Sequence, residues 1–281
     1  MNKTVGVIGA GVMGKGVAQR FSQYGYKVLL MDVDENALDI AIKEIGKNLR
    51  IMKMMGQKIN TDEILNRISI TSDYADMVKA DFVVENVPEV EDIKKSVYTG
   101  LDKYCKEECI FMANTSCVPV TLIGSFTDRR GKVIGVHFMN PVPMKNFSEV
   151  IRGWHTSDET VGQVKALLAD IGIETEVIND SAGFVSNRLS HLFMNEAAFL
   201  VYEGVAAAEQ IDNIFRKAFG HKMGPLETAD LIGLDTVLHS LKILYQQYED
   251  PKFRACPLMK RMVEAGHLGR KSDKGFYDYA V

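Results

Sequence analysis

A strand that runs straight into Gly9-Ala10-Gly11-Val12-Met13-Gly14, opens a helix there and returns in a second strand ending at Asp32 can close into few folds. Thr4 to Ile8 is a short β-rich run, VAQRFSQYG is amphipathic, and KVLLMD (27–32) is apolar up to its acidic last residue. Gly9, Gly11 and Gly14 satisfy G-x-G-x-x-G in the strand-to-helix context that gives the pattern meaning. Gly9 permits the tight turn, Gly11 lets the backbone approach a pyrophosphate, and Gly14 lets helix and strand pack closely. The helix N-terminus adds unpaired N–H groups and the positive end of the dipole. Val12 and Met13 lie inside the turn and are counted with it. Asp32 is placed to bind ribose hydroxyls and to repel a 2′-phosphate, so the expected cofactor is NAD.

Strand signals recur at ISIT (68–71), DFVVEN (81–86), CIFMANTS (109–116) and KVIGVHFMN (132–140), with helical stretches at about 73–79, 91–104 and 119–125. Alternation of this kind predicts a doubly wound, mostly parallel sheet of Rossmann type. Residues 35–66 add two helical stretches, read as a helical hairpin inserted between the second and third strands. The second is expected to be capped at Thr61, with Asp62 and Glu63 in its first turn. The Met-rich IMKMM (51–55) is expected to pack in the core; an exposed apolar face is the alternative. A helix over 158–170 and a strand over 174–179 complete the sheet.

Ligands of such a sheet lie at the carboxyl ends of its strands. Asp32, the turn ENVPE (85–89), Asn114-Thr115-Ser116 and His137 all fall there. His137 also belongs to a candidate hairpin. The run KVIGV (132–136) delivers it, NPVP (140–143) turns, and FSEVI (147–151) returns with Glu149. If the runs pair about Pro143, His137 and Glu149 are directly opposed, with Cβ atoms roughly 4.5–5.5 Å apart. A His gripped by a carboxylate is a general base with a fixed tautomer. A buried structural His beside a surface Glu explains the hairpin alone equally well; four strand ends converging on one crevice favour an active site.

After DSAGFVSNR (180–188) no strand-like run remains, and helical periodicity dominates. The expected division is a NAD-binding domain over 1–183 and an all-α domain over 184–281, with Gly204, Gly220 and Gly233 as terminators or close helix contacts. That second part is apolar enough in places to predict a homodimer. With 46% hydrophobic and 25% charged residues and a net charge of −4, the chain reads as a globular enzyme with no basic surface for nucleic acid or anionic membrane. No apolar run approaches the ~20 residues of a membrane span. No signal peptide is visible, so the cytoplasm is the expected location. Cys105, Cys109, Cys117 and Cys256 form no C-x-x-C pair and have no nearby His at ligand spacing, so reduced thiols and no metal are expected.

The whole chain resembles the short-chain 3-hydroxyacyl-CoA dehydrogenase family, on GAGVMGKGVAQ, NTS (114–116), HFMNPVP with its following Glu, IRGWHTSDET (151–160), DSAGFVSNR, KMGPLETADLIGLDT (222–236) and LGRKSDKGFYDY (268–279). The resemblance implies hydride transfer between nicotinamide C4 and C3 of a 3-hydroxyacyl thioester. It implies His137 and Glu149 as the catalytic pair, with Ser116 and Asn187 contacting the substrate oxygen. It implies cofactor contacts at the glycine turn, Asp32, Glu89, Lys94, Asn114 and Lys271, with Asn140 shaping the turn on the substrate side.

The chain also departs from the family. Cys117 follows Ser116 where the family reads NTSS, and Val90 stands where Asn is usual after Glu89. MKNFSEVI replaces MKLVEVI, with Lys145 before Asn146 and Ser148. In the inserted hairpin, the Ser and Lys residues with which the family often holds the nucleotide end of coenzyme A have become Asn48, Ile51 and Met55. Lys47, Arg50 and Lys53 are the candidates to compensate. Two further readings follow. One is a homologue acting on an acyl group tethered to a carrier protein, which would explain the missing lysines. The other is a non-catalytic NAD-binding protein, which would have no reason to keep Ser116, His137, Glu149 and Asn187 together.

Overall fold

The computed structural model describes residues 3–280, and the chain divides between Ser181 and Ala182 into two compact units. The first alternates strand and helix: β1 (Thr4–Ile8), α1 (Val12–Gln23), β2 (Lys27–Met31), α2 (Glu35–Met54), α3 (Thr61–Leu65), β3 (Ile68–Thr71), β4 (Phe82–Glu85), α4 (Glu91–Tyr104), β5 (Ile110–Ala113), α5 (Val120–Gly124), β6 (Val133–Phe138), β7 (Phe147–Arg152), α6 (Asp158–Asp170) and β8 (Glu174–Asn179). Among the described residues eight strands form one sheet, ordered β3-β2-β1-β4-β5-β6-β7-β8. The central strands β4 and β5 are buried throughout, as strands covered on both faces must be. β8 lies at the edge, largely exposed, and carries Glu174 and Glu176, charges that discourage pairing with another chain. The pairs from β3 across to β6 are parallel; β7 pairs antiparallel with β6 and parallel with β8.

From β1 the chain winds first to β2 and β3 on one side, then crosses to β4 on the other. The crevice of the sheet therefore opens at the carboxyl ends of β1 and β4. Gly9 turns the chain there at φ +91°, in the left-handed region that side chains avoid. A Cβ on Gly14 would lie 1.7 Å from the Gly9 carbonyl oxygen. Gly14→Ala must part helix from turn, with an expected loss of stability of about 1–3 kcal/mol or more and of NADH binding. A thermal melt and a fluorescence titration with NADH check both.

The helical insertion corrects two expectations. Leu38, Ala41, Ile45 and Leu49 form the buried stripe of α2, and only Met52 of the Met-rich segment continues it, half-buried. Ile51, Met54 and Met55 fall off that stripe and are exposed, Met54 to 87%, so IMKMM is not core. The cap of α3 is Asn60, whose side-chain oxygen accepts from the Glu63 N–H at 3.3 Å, and Thr61 is the first helical residue. Asn is a stronger cap than Thr, and its extended backbone at that position leaves the helix to start one residue later. The helix expected at 73–79 is a 3₁₀ helix over Tyr74–Lys79.

The second unit is helical: α7 (Ser186–Tyr202), α8 (Ala208–Phe219), α9 (Pro225–Ile232), α10 (Leu234–Tyr248) and α11 (Pro257–Glu264). Its core is built from Met194, Ala198, Ile211, Leu226, Val237, Leu241 and Met259. Gly220 ends α8 in the left-handed conformation, and Gly233 at φ +103° splits the run LIGLDTVLHS between α9 and α10. Two buried carboxylates organise the rest. Asp212 accepts from the N–H groups of Leu226 and Glu227 at the start of α9, at 2.9 and 2.8 Å. Asp230 accepts from Phe276 and Tyr277, both at 3.0 Å, strapping the C-terminal segment onto the bundle. Burial pushes the Asp230 carboxyl above the usual carboxylate range.

Candidate active site

β6 and β7 pair in the register Gly135↔Ile151, Val136↔Val150, His137↔Glu149 and Phe138↔Ser148. His137 and Glu149 are thus directly opposed, on a sheet face where they are 9% and 4% exposed. Their side chains meet, with Nδ1 of His137 2.9 Å from Oε2 of Glu149. A carboxylate accepts only, so the partner assigns the proton to Nδ1 and leaves Nε2 as an acceptor. Nε2 lies 3.4 Å from the Ser116 hydroxyl oxygen. The dyad and the hydroxyl therefore line up across the ends of β5 and β6.

Ser116 owes its place to Glu89. One Glu89 oxygen accepts from the Ser116 N–H at 2.6 Å and the other from the Thr115 hydroxyl at 2.9 Å. Asn114 spans the neighbouring strand ends: its amide donates to Asn86 Oδ1 at 2.8 Å, and its oxygen accepts from the Phe138 N–H at 3.3 Å. Beneath this surface Lys94, fully buried, lies between both oxygens of Glu85 at 2.9 and 3.0 Å and reaches Glu89 at 3.9 Å. Burial pushes the Glu85 carboxyl up, against the pull of the Lys94 ammonium and the Val87 N–H. Burial and the nearby Glu85 carboxylate raise Tyr98 well above its ordinary pKa, so its hydroxyl keeps its proton and faces Glu85 at 3.4 Å.

The dinucleotide side lies on the same crevice. Asp32 follows β2 and folds back on the glycine turn, accepting from the Ala10 N–H at 2.7 Å and from the Asp34 N–H at 3.0 Å. The α1 N-terminus has no side-chain cap and no acidic residue in its first turn. A Cβ on Gly11 would meet nothing within 4 Å, so open space lies against the bare N–H groups. An uncapped positive helix end, an open glycine and an acid at the end of β2 fit a dinucleotide.

The remaining expected site residues sit on other elements. Asn140 is exposed on the turn after β6, joined to Pro141 by a cis peptide. Lys53 is exposed in the last turn of α2. Asn187 sits in the first turn of α7, its carbonyl 2.8 Å from His191 Nδ1, and Lys271 pairs with Asp235 at 2.6 Å; both belong to the second unit. Cys117 is buried. Glu85, Asn86 and Thr115, placed at the strand ends by the sequence but given no role there, hold the site together. Their positions on the strand ends were visible, but their partners are non-local and leave no spacing signal. Among the described residues no helix is long and apolar enough to cross a membrane, and no three His, Cys, Asp or Glu side chains are grouped to hold a metal.

Comparison with known proteins matches residues 4–181 to the NAD binding domain of 3-hydroxyacyl-CoA dehydrogenase and residues 183–279 to its C-terminal domain. The chain is 42% identical over 275 residues to the 3-hydroxybutyryl-CoA dehydrogenase of Clostridioides difficile, covering 97% of this chain and 98% of that one. It is 40% identical over 281 residues to the enzyme of the same name from Bradyrhizobium diazoefficiens, covering 99% and 95%. Among solved structures, the (S)-3-hydroxybutyryl-CoA dehydrogenase of Ralstonia eutropha superimposes with a TM-score of 0.94 at 37% identity, over 100% of both chains.

Proposed function

The chain belongs to the 3-hydroxyacyl-CoA dehydrogenase family, and on that premise we propose that it interconverts a short-chain 3-hydroxyacyl thioester and its 3-ketoacyl form with NAD, using His137 and Glu149. The observation that carries the reading is the 2.9 Å contact between His137 and Glu149, with Nε2 of the imidazole turned to Ser116. NAD, when bound, supplies or accepts the hydride.

The proton is moved by the chain itself. In oxidation His137 Nε2 takes the hydroxyl proton, and Glu149 stabilises the imidazolium that forms and keeps the ring in place. In reduction the same nitrogen returns the proton, while the Ser116 hydroxyl polarises the 3-keto oxygen. Glu89 holds the Ser116 N–H and the Thr115 hydroxyl, which fixes that donor relative to the imidazole. The glycine turn, Asp32 and Asn114 are assigned to the cofactor. Lys94 acts from beneath through Glu89. The roles of Asn187 and Lys271 rest on the family resemblance.

The relatives' names favour a four-carbon acyl-CoA. One feature favours a second reading: α2 ends in exposed Ile51, Met54 and Met55, flanked by exposed Lys47, Arg50 and Lys53. A carrier protein could dock on that apolar, basic end in place of a nucleotide. For coenzyme A, losing a lysine to phosphate removes about 1.5–3 kcal/mol. Turnover of acetoacetyl-CoA and of a carrier-bound acetoacetyl group, each with NADH and NADPH, distinguishes the two. Efficient acetoacetyl-CoA turnover at micromolar affinity removes the carrier reading, and absence of turnover on every thioester removes both. Exposed Leu189, Val205, Ile214 and Phe219 on the helical unit support assembly as a homodimer, and we place the enzyme in the cytoplasm.

A further inference from the structure

We infer that Arg20, on the helix that opens at the glycine turn, is a positioning residue for the His137–Glu149 pair. The inference rests on the catalytic reading of that pair given above. Arg20 is 4% exposed, and its guanidinium is spent on neutral acceptors. Nε donates to the Ile171 carbonyl at 2.9 Å, and Nη1 to the Pro143 carbonyl at 3.2 Å. Nη2 donates to Asn146 Oδ1 at 3.0 Å and to the Gly172 carbonyl at 2.9 Å. The Tyr24 ring covers its face at 4.9 Å. Among the described residues no carboxylate lies within ion-pair distance of it, so its burial is not offset by an opposite charge, and burial lowers its pKa. A buried cation kept at that cost has a geometric use.

The use follows from where its acceptors sit. Pro143 and Asn146 belong to the segment that joins β6 to β7, that is, His137 to Glu149. At the turn end of this hairpin only the pair Phe138↔Ser148 lies beyond the dyad. The residues between are mostly exposed and make no further ladder. The Glu174 N–H of β8 holds the Asn146 carbonyl at 2.8 Å, and α1 closes the rest of the hairpin at two points. Val142 packs buried on Gly16, where an added Cβ would come within 3.3 Å of it. One turn further along α1, Arg20 ties Pro143 and Asn146 to the turn between α6 and β8 through Ile171 and Gly172. The same helix begins at the dinucleotide turn, so α1 sets the proton-moving pair against the cofactor side as one rigid piece. The planar fork reaches four acceptors at once; a lysine ammonium in its place would reach fewer.

The test is single-turnover reduction of acetoacetyl-CoA with enzyme in excess, followed by NADH absorbance. The amplitude counts competent sites; the rate constant reports the geometry of the reacting groups. Arg20→Met is expected to lower the rate constant about tenfold, the scale of a displacement under an ångström, with the amplitude and the NADH dissociation constant unchanged. Arg20→Lys should fall between it and the wild type. Asn146→Ala should show a smaller loss that is not added to when combined with Arg20→Met. If Arg20→Met lowers only the amplitude and leaves the rate constant at the wild-type value, Arg20 is merely structural and the inference is wrong. Should Arg20→Met fail to fold, Asn146→Ala decides: a wild-type rate constant there overturns it equally. His137→Gln in the same assay separates the two levels, because an undiminished rate constant for that variant would remove the dyad itself rather than the role of Arg20.

Discussion

His137→Gln is expected to lower kcat by about 10³-fold, within the range that a positioned general acid or base contributes, while NADH binds as before. Gln keeps the size of the ring and a polar end, but it can neither take the hydroxyl proton nor carry the charge that Glu149 would stabilise. The dinucleotide side is built from β1, α1 and the end of β2, none of which the substitution touches. Glu149→Gln is the informative companion. The fold keeps its strand pair, and the amide oxygen can still accept from Nδ1, but the charge is gone. A smaller fall, toward the 10² end of the same range, is expected. Steady-state kinetics in both directions with an NADH titration check the pair. Retention of turnover by His137→Gln would place the proton transfer elsewhere.

The largest expected effect on stability comes from a residue that touches no substrate. Lys94→Met leaves Glu85 buried opposite an apolar side chain, and breaking such a pair by removing one partner costs about 3–5 kcal/mol. A drop in melting temperature on the order of ten degrees follows for a chain of this size. Glu85 is 1% exposed and has no route to water; Val87 N–H at 2.7 Å and the Tyr98 hydroxyl are its remaining partners. Adding Glu85→Gln to Lys94→Met should recover most of the loss, since the stranded charge is what destabilises. Thermal melts of the two single variants and the double variant test this. A double variant as unstable as Lys94→Met would show that packing, not charge, dominates. The surviving double variant also reports on Glu89, whose hold on Ser116 should be slacker without the ammonium behind it, visible as reduced kcat.

The parts of the molecule legible in the sequence are those whose cause is local. β-branched runs, glycines at fixed spacing and an acid at a strand end act over a few residues, so the order of strands and helices and the glycine turn can be read directly. The opposed His137 and Glu149 were legible for the same reason, because a hairpin carries its register in its own length. Contacts between distant segments leave no such trace. Nothing near Glu85 announces Lys94, and nothing near Glu89 announces the N–H of Ser116. Arg20 offered one clue. It lies beside Val17 and Phe21, both buried, and a charge on a buried helix face calls for acceptors. Met54 and Met55 are exposed against expectation because composition says which residues are apolar but not where a helix outruns its neighbours.

Because β7 runs against β6, Glu149 reaches His137 through a single continuous stretch of chain. The price of that economy is an arithmetic constraint on the loop. Side chains alternate across a strand, so removing or adding one residue between Met139 and Asn146, if the ladder followed it, would bring Ser148 or Val150 opposite the imidazole and turn the carboxylate to the other side of the sheet. An even step would keep the carboxylate on the same face but set Phe147 or Ile151 opposite the imidazole, so the pair survives a change of length only where a bulge or the loop itself absorbs it. Replacement at exposed Met144 or Lys145 leaves the register alone, whereas a one-residue indel that the ladder follows is expected to part the pair and abolish turnover.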